Sequence, residues 1–118
     1  ADLESSIAGH PDVKESAAIA VPDPIKGEVP MLFIVLRPQT IEYEQLKKEL
    51  EDMISEKLGK AFLPKGIFFV EDLPRTQSGK IARRLVRAAY LDENPGDIST
   101  LQNPETLIQI RKRFKGMK

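Results

Sequence analysis

The sequence predicts an α+β fold, a small, roughly three-stranded sheet covered by helices. Two observations carry that prediction. Three short apolar runs, Val13 to Val21, Met31 to Leu36 and Ile67 to Val70, have strand length and are bounded by turn residues. Around them, apolar residues recur at helical spacing, most clearly from Ile41 to Leu58 and from Gly79 to about Leu91. A chain of 118 residues is read as one domain burying roughly two thirds of its unfolded surface. Residues from about 94 to 118 form its C-terminal extension.

Asp2 to about Gly9 reads as a short helix with Leu3 and Ile7 inward, ended by Gly9-His10-Pro11, where His10 is a turn residue. The run Ala17 to Val21 is apolar enough for a buried strand, and Pro22-Asp23-Pro24 with Gly27 breaks it. Met31 to Leu36 is a second strand, and the connection suits an antiparallel pair. Tyr43, Leu46, Leu50, Met53, Ile54 and Leu58 share one helical face; Thr40 can cap that helix, Glu42 and Glu44 suit its positive end, and Gly59 closes it. Four apolar residues after Gly66 make the third strand. In the next helix Ile81, Leu85 and Ala88/Ala89 fall on one face and Ser78 is the N-cap. A polar connection then reaches a last helix, capped by Asn103 with Pro104 at its first position, docked by Leu107, Ile110 and Phe114.

Composition narrows the class. The chain is 41% hydrophobic and 31% charged, with 18 basic against 18 acidic residues, a balance that argues against a nucleic-acid or membrane-surface protein. Cysteine is absent, which excludes disulfides and a thiolate nucleophile, and a single histidine gives no basis for a zinc site. No apolar run approaches a transmembrane span and no signal peptide is visible, so the expected location is cytoplasmic.

One lysine stands out. If the helix begins at Gly79, Lys80 sits in its first turn, where free backbone N–H groups and the macrodipole favour negative charge. An ammonium there costs a few tenths to about 1 kcal/mol unless an anion visits, and a phosphate or carboxylate fits the place. Ser78-Gly79-Lys80 is not the end of a P-loop, because Pro74 occupies the first glycine position and Ile81 has no hydroxyl for Mg²⁺. A solvated lysine at the start of a basic surface helix is the competing reading. Arg83, Arg84 and Arg87 read the same way, as a solvated face.

The longer string changes the balance. Leu73-Pro74-Arg75-Thr76-Gln77-Ser78-Gly79-Lys80-Ile81-Ala82-Arg83-Arg84 resembles the LP(K/R)TxSGKIxRR signature near the carboxyl end of acyl- and aryl-CoA synthetases, the adenylate-forming family. Glu4-Ser5-Ser6-Ile7 with His10-Pro11, Glu15 to Asp23, and Lys26-Gly27-Glu28 resemble further segments of that family, in order and at its spacing. Gly96-Asp97-Ile98-Ser99-Thr100-Leu101-Gln102-Asn103-Pro104 is similar to the GDTSTLxDP tail of its acetyl-CoA synthetase branch, which points to a short carboxylic acid as substrate.

The resemblance implies the small mobile C-terminal domain of a longer enzyme, partnered by an N-terminal adenylation domain that holds most of the contacts to Mg²⁺, ATP, CoA and the acid. It implies that Lys80 is the catalytic residue of adenylation, on a loop where Thr76, Ser78 and Gly79 adjoin the ATP or adenylate. It also implies that Lys80 is open to acetylation and deacetylation by modifying enzymes. Where an arginine of the acetyl-CoA synthetases meets a CoA phosphate this chain has Ser55, which leaves Lys57 and Lys60 as the substitute CoA-binding residues. No metal site is implied within the domain. Another acyl or aryl ligase, or a free-standing interaction module, are the alternatives.

Overall fold

In the computed structural model, which describes residues 2–38 and 42–116, the chain divides into two compact units, residues 1–71 and 72–118. The first contains helix α1 (Asp2–Ile7), strands β1 (Val13–Asp23) and β2 (Gly27–Leu36), helix α2 (Tyr43–Leu58), a 3₁₀ turn at Lys60–Phe62 and strand β3 (Gly66–Phe69). The second contains helices α3 (Arg83–Leu91) and α4 (Glu105–Phe114). The expected α+β class and three strands are what is found, with a mixed sheet in the order β1-β2-β3.

β1 and β2 form an antiparallel hairpin paired from Val13↔Leu36 to Asp23↔Gly27, so β2 begins at Gly27, four residues before the apolar run. The reason lies in the turn. Asp23 Oδ1 accepts from the backbone N–H groups of Ile25 at 2.8 Å and Lys26 at 3.1 Å, and Gly27 takes the positive φ of 85° that completes a tight reversal. Those two donated bonds also hold the Asp23 carboxyl below its ordinary pKa.

β3 lies parallel to β2, from Met31↔Gly66 to Ile34↔Phe69. A parallel pair needs a long crossover, and α2 supplies it. Its apolar stripe, Leu46, Leu50 and Ile54, packs with Ile7, Val13, Leu32, Ile34 and Ile67 in a buried cluster. The alternate residues of β2, Met31, Phe33 and Val35, are also buried, as a central strand requires. Close approach fixes one glycine: a Cβ at Gly66 would come within 2.9 Å of both the Met31 methyl and the Phe68 ring.

α2 ends as expected, with Gly59 at φ 99° and its N–H bonded to the Ser55 carbonyl. α2 starts at Tyr43, not at Ile41 as expected, because Glu42 before it is extended at φ −76° and ψ 157°; Thr40 and Ile41 themselves lie outside the described residues. His10 is more than a turn residue. It is 9% exposed; Nε2 lies 2.9 Å from Glu49 Oε1 on α2, and Nδ1 accepts the Asp12 N–H at 3.1 Å, joining the end of α1 to α2.

Two further expectations about helix starts are corrected. α3 begins at Arg83, not Gly79, and Ala82 precedes it without a side-chain cap. Gly79 has a φ of 90°, and the Lys80 carbonyl accepts the Thr76 N–H at 2.9 Å, so residues 76–80 close into a turn before any helix starts. Asn103 is likewise no side-chain cap of α4: its amide is used elsewhere, and Pro104 occupies the cap position.

Within the second unit α3 buries Leu85, Val86, Ala88, Ala89 and Tyr90, and α4 buries Leu107, Ile110 and Phe114. The Tyr90 and Phe114 rings meet edge-on, 5.3 Å between centroids. Burial raises the Tyr90 phenol pKa. Asp92, at φ 58°, ends α3 in the left-handed conformation, and Arg111 of α4 reaches its carboxylate at 3.1 Å and the Glu93 carbonyl at 3.2 Å. Among the described residues no helix is long and apolar enough to cross a membrane.

Candidate functional site

The structure gives Lys80 a setting different from the expected helix start. Lys80 is exposed and sits on a reversal whose two arms are zipped together. Arg75 and Ile81 form an antiparallel bridge, the Ala82 N–H donates to the Pro74 carbonyl at 2.8 Å, and the Gly79 N–H donates to the Thr76 carbonyl at 2.9 Å. Thr76 Oγ1 lies 2.9 Å from Ser78 Oγ and 3.5 Å from the Lys80 carbonyl. The three residues singled out beside the lysine, Thr76, Ser78 and Gly79, therefore build the turn itself. The macrodipole of α3 does not act on Lys80, because that helix starts three residues later.

What supports the turn comes from more than twenty residues downstream. Thr76 bridges to Leu101, the Gln77 N–H donates to the Thr100 carbonyl at 2.9 Å, and the Gln102 N–H donates to the Arg75 carbonyl at 2.9 Å. Segments 75–77, 80–82 and 100–102 thus make a miniature three-stranded arrangement with Lys80 at one rim. Leu73, Pro74 and Leu101 are buried beneath it. The result is a cation on a flexible stem mounted on a rigid, hydrogen-bonded base. Among the described residues, no carboxylate lies within ion-pair distance of the Lys80 ammonium. Such a group can meet an incoming phosphate or carboxylate at little cost in backbone order.

The arginines of α3 are not idle. Arg84 donates to the Pro95 carbonyl at 2.9 Å and Arg87 lies 3.4 Å from Glu93, so both hold the segment that leads to residues 96–103. In that segment Asp97 accepts the Ser99 N–H at 2.9 Å, which lowers its carboxyl pKa and shapes the turn before Thr100.

Lys57 and Lys60 belong to the first unit. Lys57 stands in the last turn of α2 and donates from Nζ to the Ser6 carbonyl at 3.1 Å. Lys60 is exposed at the start of the 3₁₀ turn. Among the described residues no three His, Asp or Glu side chains gather as metal ligands. The residues missed by sequence reasoning are Gln77, Gln102 and Asn103, whose side-chain contacts span 24 to 31 positions and leave no local pattern to find.

Comparison with known proteins places this geometry in context. The family model described as AMP-binding enzyme C-terminal domain matches residues 2–80, ending on the lysine. The acetyl-coenzyme A synthetase of Pyrobaculum arsenaticum is 42% identical over 117 residues, covering 99% of this chain and 18% of that protein. The 3-hydroxypropionyl-coenzyme A synthetase of Sulfurisphaera tokodaii is 37% identical over 117 residues, with the same 99% and 18% coverage. The chain therefore spans about a fifth of the length of these relatives. The structure of acetoacetyl-CoA synthetase from Streptomyces lividans superimposes with a TM-score of 0.84 over 99% of this chain and 18% of that one; at 18% identity it speaks to the fold alone.

Proposed function

The chain belongs to the AMP-binding enzyme C-terminal domain family, and from that premise we propose that it is the mobile C-terminal domain of an AMP-forming acetyl-CoA synthetase. In the reaction, a carboxylate attacks the α-phosphate of ATP, which enters with Mg²⁺, giving acyl-adenylate and pyrophosphate. The CoA thiol then displaces AMP to give the thioester. Lys80 acts in the first half. While charge moves between the attacking carboxylate, the α-phosphate and the departing pyrophosphate, its ammonium offsets that charge and holds the carboxylate in line. It exchanges no proton and forms no bond.

The observation that carries this reading is the exposed Lys80 ammonium, with no carboxylate among the described residues at ion-pair distance, on a turn fixed at both ends. The remainder of ATP and acid binding falls to an N-terminal adenylation domain. Rotation of the small domain between the two halves withdraws the lysine and presents another face to CoA, with Lys57 and Lys60 as the cations for its phosphates. Lys57 reaches CoA only by giving up its bond to the Ser6 carbonyl. Acetylation of Lys80 removes the charge and adds bulk, so it switches off adenylation.

Lys80→Ala in the full-length enzyme tests the reading. Acid-dependent ATP–pyrophosphate exchange should fall by about 10²–10³, or about 2.7–4 kcal/mol, as for loss of one preorganised electrostatic donor. Thioester formation from supplied acyl-adenylate and CoA should be spared, and enzyme acetylated at Lys80 should behave the same way. Equal loss in both halves would refute the assignment. A 3-hydroxy acid is the second reading of the substrate, favoured by the 37% identity to the 3-hydroxypropionyl enzyme; exchange measured with each acid separates them.

A further inference from the structure

We propose that Asn103 is a positioning residue for Lys80, the point through which α4 holds the lysine turn in place; this rests on the adenylating role given to Lys80 above. The half-buried Asn103 amide makes three bonds to the strand that enters the turn. Oδ1 accepts the Arg75 N–H at 2.8 Å, while Nδ2 donates to the Leu73 carbonyl at 2.9 Å and to Asp72 Oδ2 at 3.1 Å. The partners fix the amide orientation, because a flipped group would face a donor to the Arg75 N–H and an acceptor to two oxygens.

Arg75 is the residue whose bridge to Ile81 closes the neck of the turn, and Thr76, next to it, donates its N–H to the Lys80 carbonyl. Displacing Arg75 displaces the base of the lysine. Asn103 is itself held from the other side. Its carbonyl accepts both the Thr106 N–H at 3.1 Å and Thr106 Oγ1 at 2.8 Å, with Thr106 1% exposed. α4 is then anchored through Leu107, Ile110 and Phe114 and through Arg111 on the end of α3. The chain of contacts runs from the α3 C-terminus through α4 and Asn103 to the lysine turn, and all of it after Lys80 lies beyond the residues that the family model matches.

A merely structural asparagine would harm the whole domain, whereas a positioning residue harms only the step that needs the lysine in register. In the full-length enzyme Asn103→Ala is expected to lower the kcat of ATP–pyrophosphate exchange by about 10- to 100-fold, the cost of a misplacement near 1 Å. KM for ATP and the thioester half from supplied acyl-adenylate should stay unchanged. Amide hydrogen exchange at Thr76 and Gln77 should quicken while that of α2 does not. If Asn103→Ala does not fold, the isosteric Asn103→Asp carries the test: it keeps the acceptor for Arg75 but loses both donors and faces Asp72 with a second carboxylate, so the same split is expected. Equal loss in both halves, undiminished adenylation, or unchanged amide exchange at the turn would each overturn the proposal. If Lys80→Ala leaves adenylation intact, it is the role of the lysine that falls, and the exchange comparison still decides whether Asn103 holds the turn.

Discussion

In the site proposed around Lys80, little is chemical and much is support. The ammonium is one exposed group, but the backbone that carries it adopts a conformation open to few residues. Gly79 has a φ of 90°, and a Cβ there would meet nothing within 4 Å, so the space is free and only the dihedral excludes other residues. Gly79→Ala should therefore cost about 1–3 kcal/mol through backbone strain alone. Thermal or urea unfolding of the chain checks the figure. A cost near zero would mean that the turn rearranges to relieve φ, in which case adenylation by the full-length variant should fall although no ligand-facing atom has been removed. The lysine is legible in a long motif, but the local rule of an ammonium at a helix N-terminus describes the wrong geometry. Ser-Gly-Lys fits a helix start and a tight turn equally well, and bonds to residues 100–102 decided between them.

Elements were legible where their pattern is internal to the segment. β1, β2 and β3 follow from short apolar runs bounded by turn residues and α2 from apolar residues at helical spacing, whereas the start of α3 and the use of Asn103 depend on partners far along the chain. The joint between α1 and α2 belongs to the second kind. His10 and Glu49 are 39 residues apart, and nothing around His10 in sequence announces the pair. The bond from His10, with a second from Gln45, lowers the Glu49 pKa below its ordinary value. A lowered folded-state pKa stabilises the fold above the unfolded value and is lost as pH falls through the folded one. The unfolding midpoint of the wild-type chain should thus exceed that of Glu49→Gln at pH 6, and the gap should close below about pH 4, the ordinary range for a glutamate. A gap that stays constant from pH 6 to pH 3 would show that the carboxylate charge adds nothing to this joint.

At the scale of the molecule, charge and chemistry are unevenly distributed. Residues 72–118 contain ten Lys or Arg against five Asp or Glu, so the net neutrality of the 118-residue chain conceals a basic second unit and an acidic first one. The lysine turn therefore sits in the unit whose field draws anions, in keeping with a visiting phosphate. Attraction alone is not catalysis. Adenylation requires ATP and acid to be held in line at near-contact distance, and most of the rate gained from positioning comes from the groups that bind the parts of the substrates that do not react. The chain spans 18% of the length of its relatives, and in the function proposed above its contribution is one ammonium on a firm base. We expect the 118-residue chain to fold, with a single set of protected amides at the 75–82 and 100–102 segments, and to be silent in acetate-dependent ATP–pyrophosphate exchange. Adding the separately prepared N-terminal portion of the enzyme should restore exchange weakly and in proportion to concentration, since linkage no longer supplies the effective concentration of one part at the other. Exchange above a blank by the chain alone would mean that it holds ATP unaided, and would replace the reading of a donated lysine with that of a complete active site.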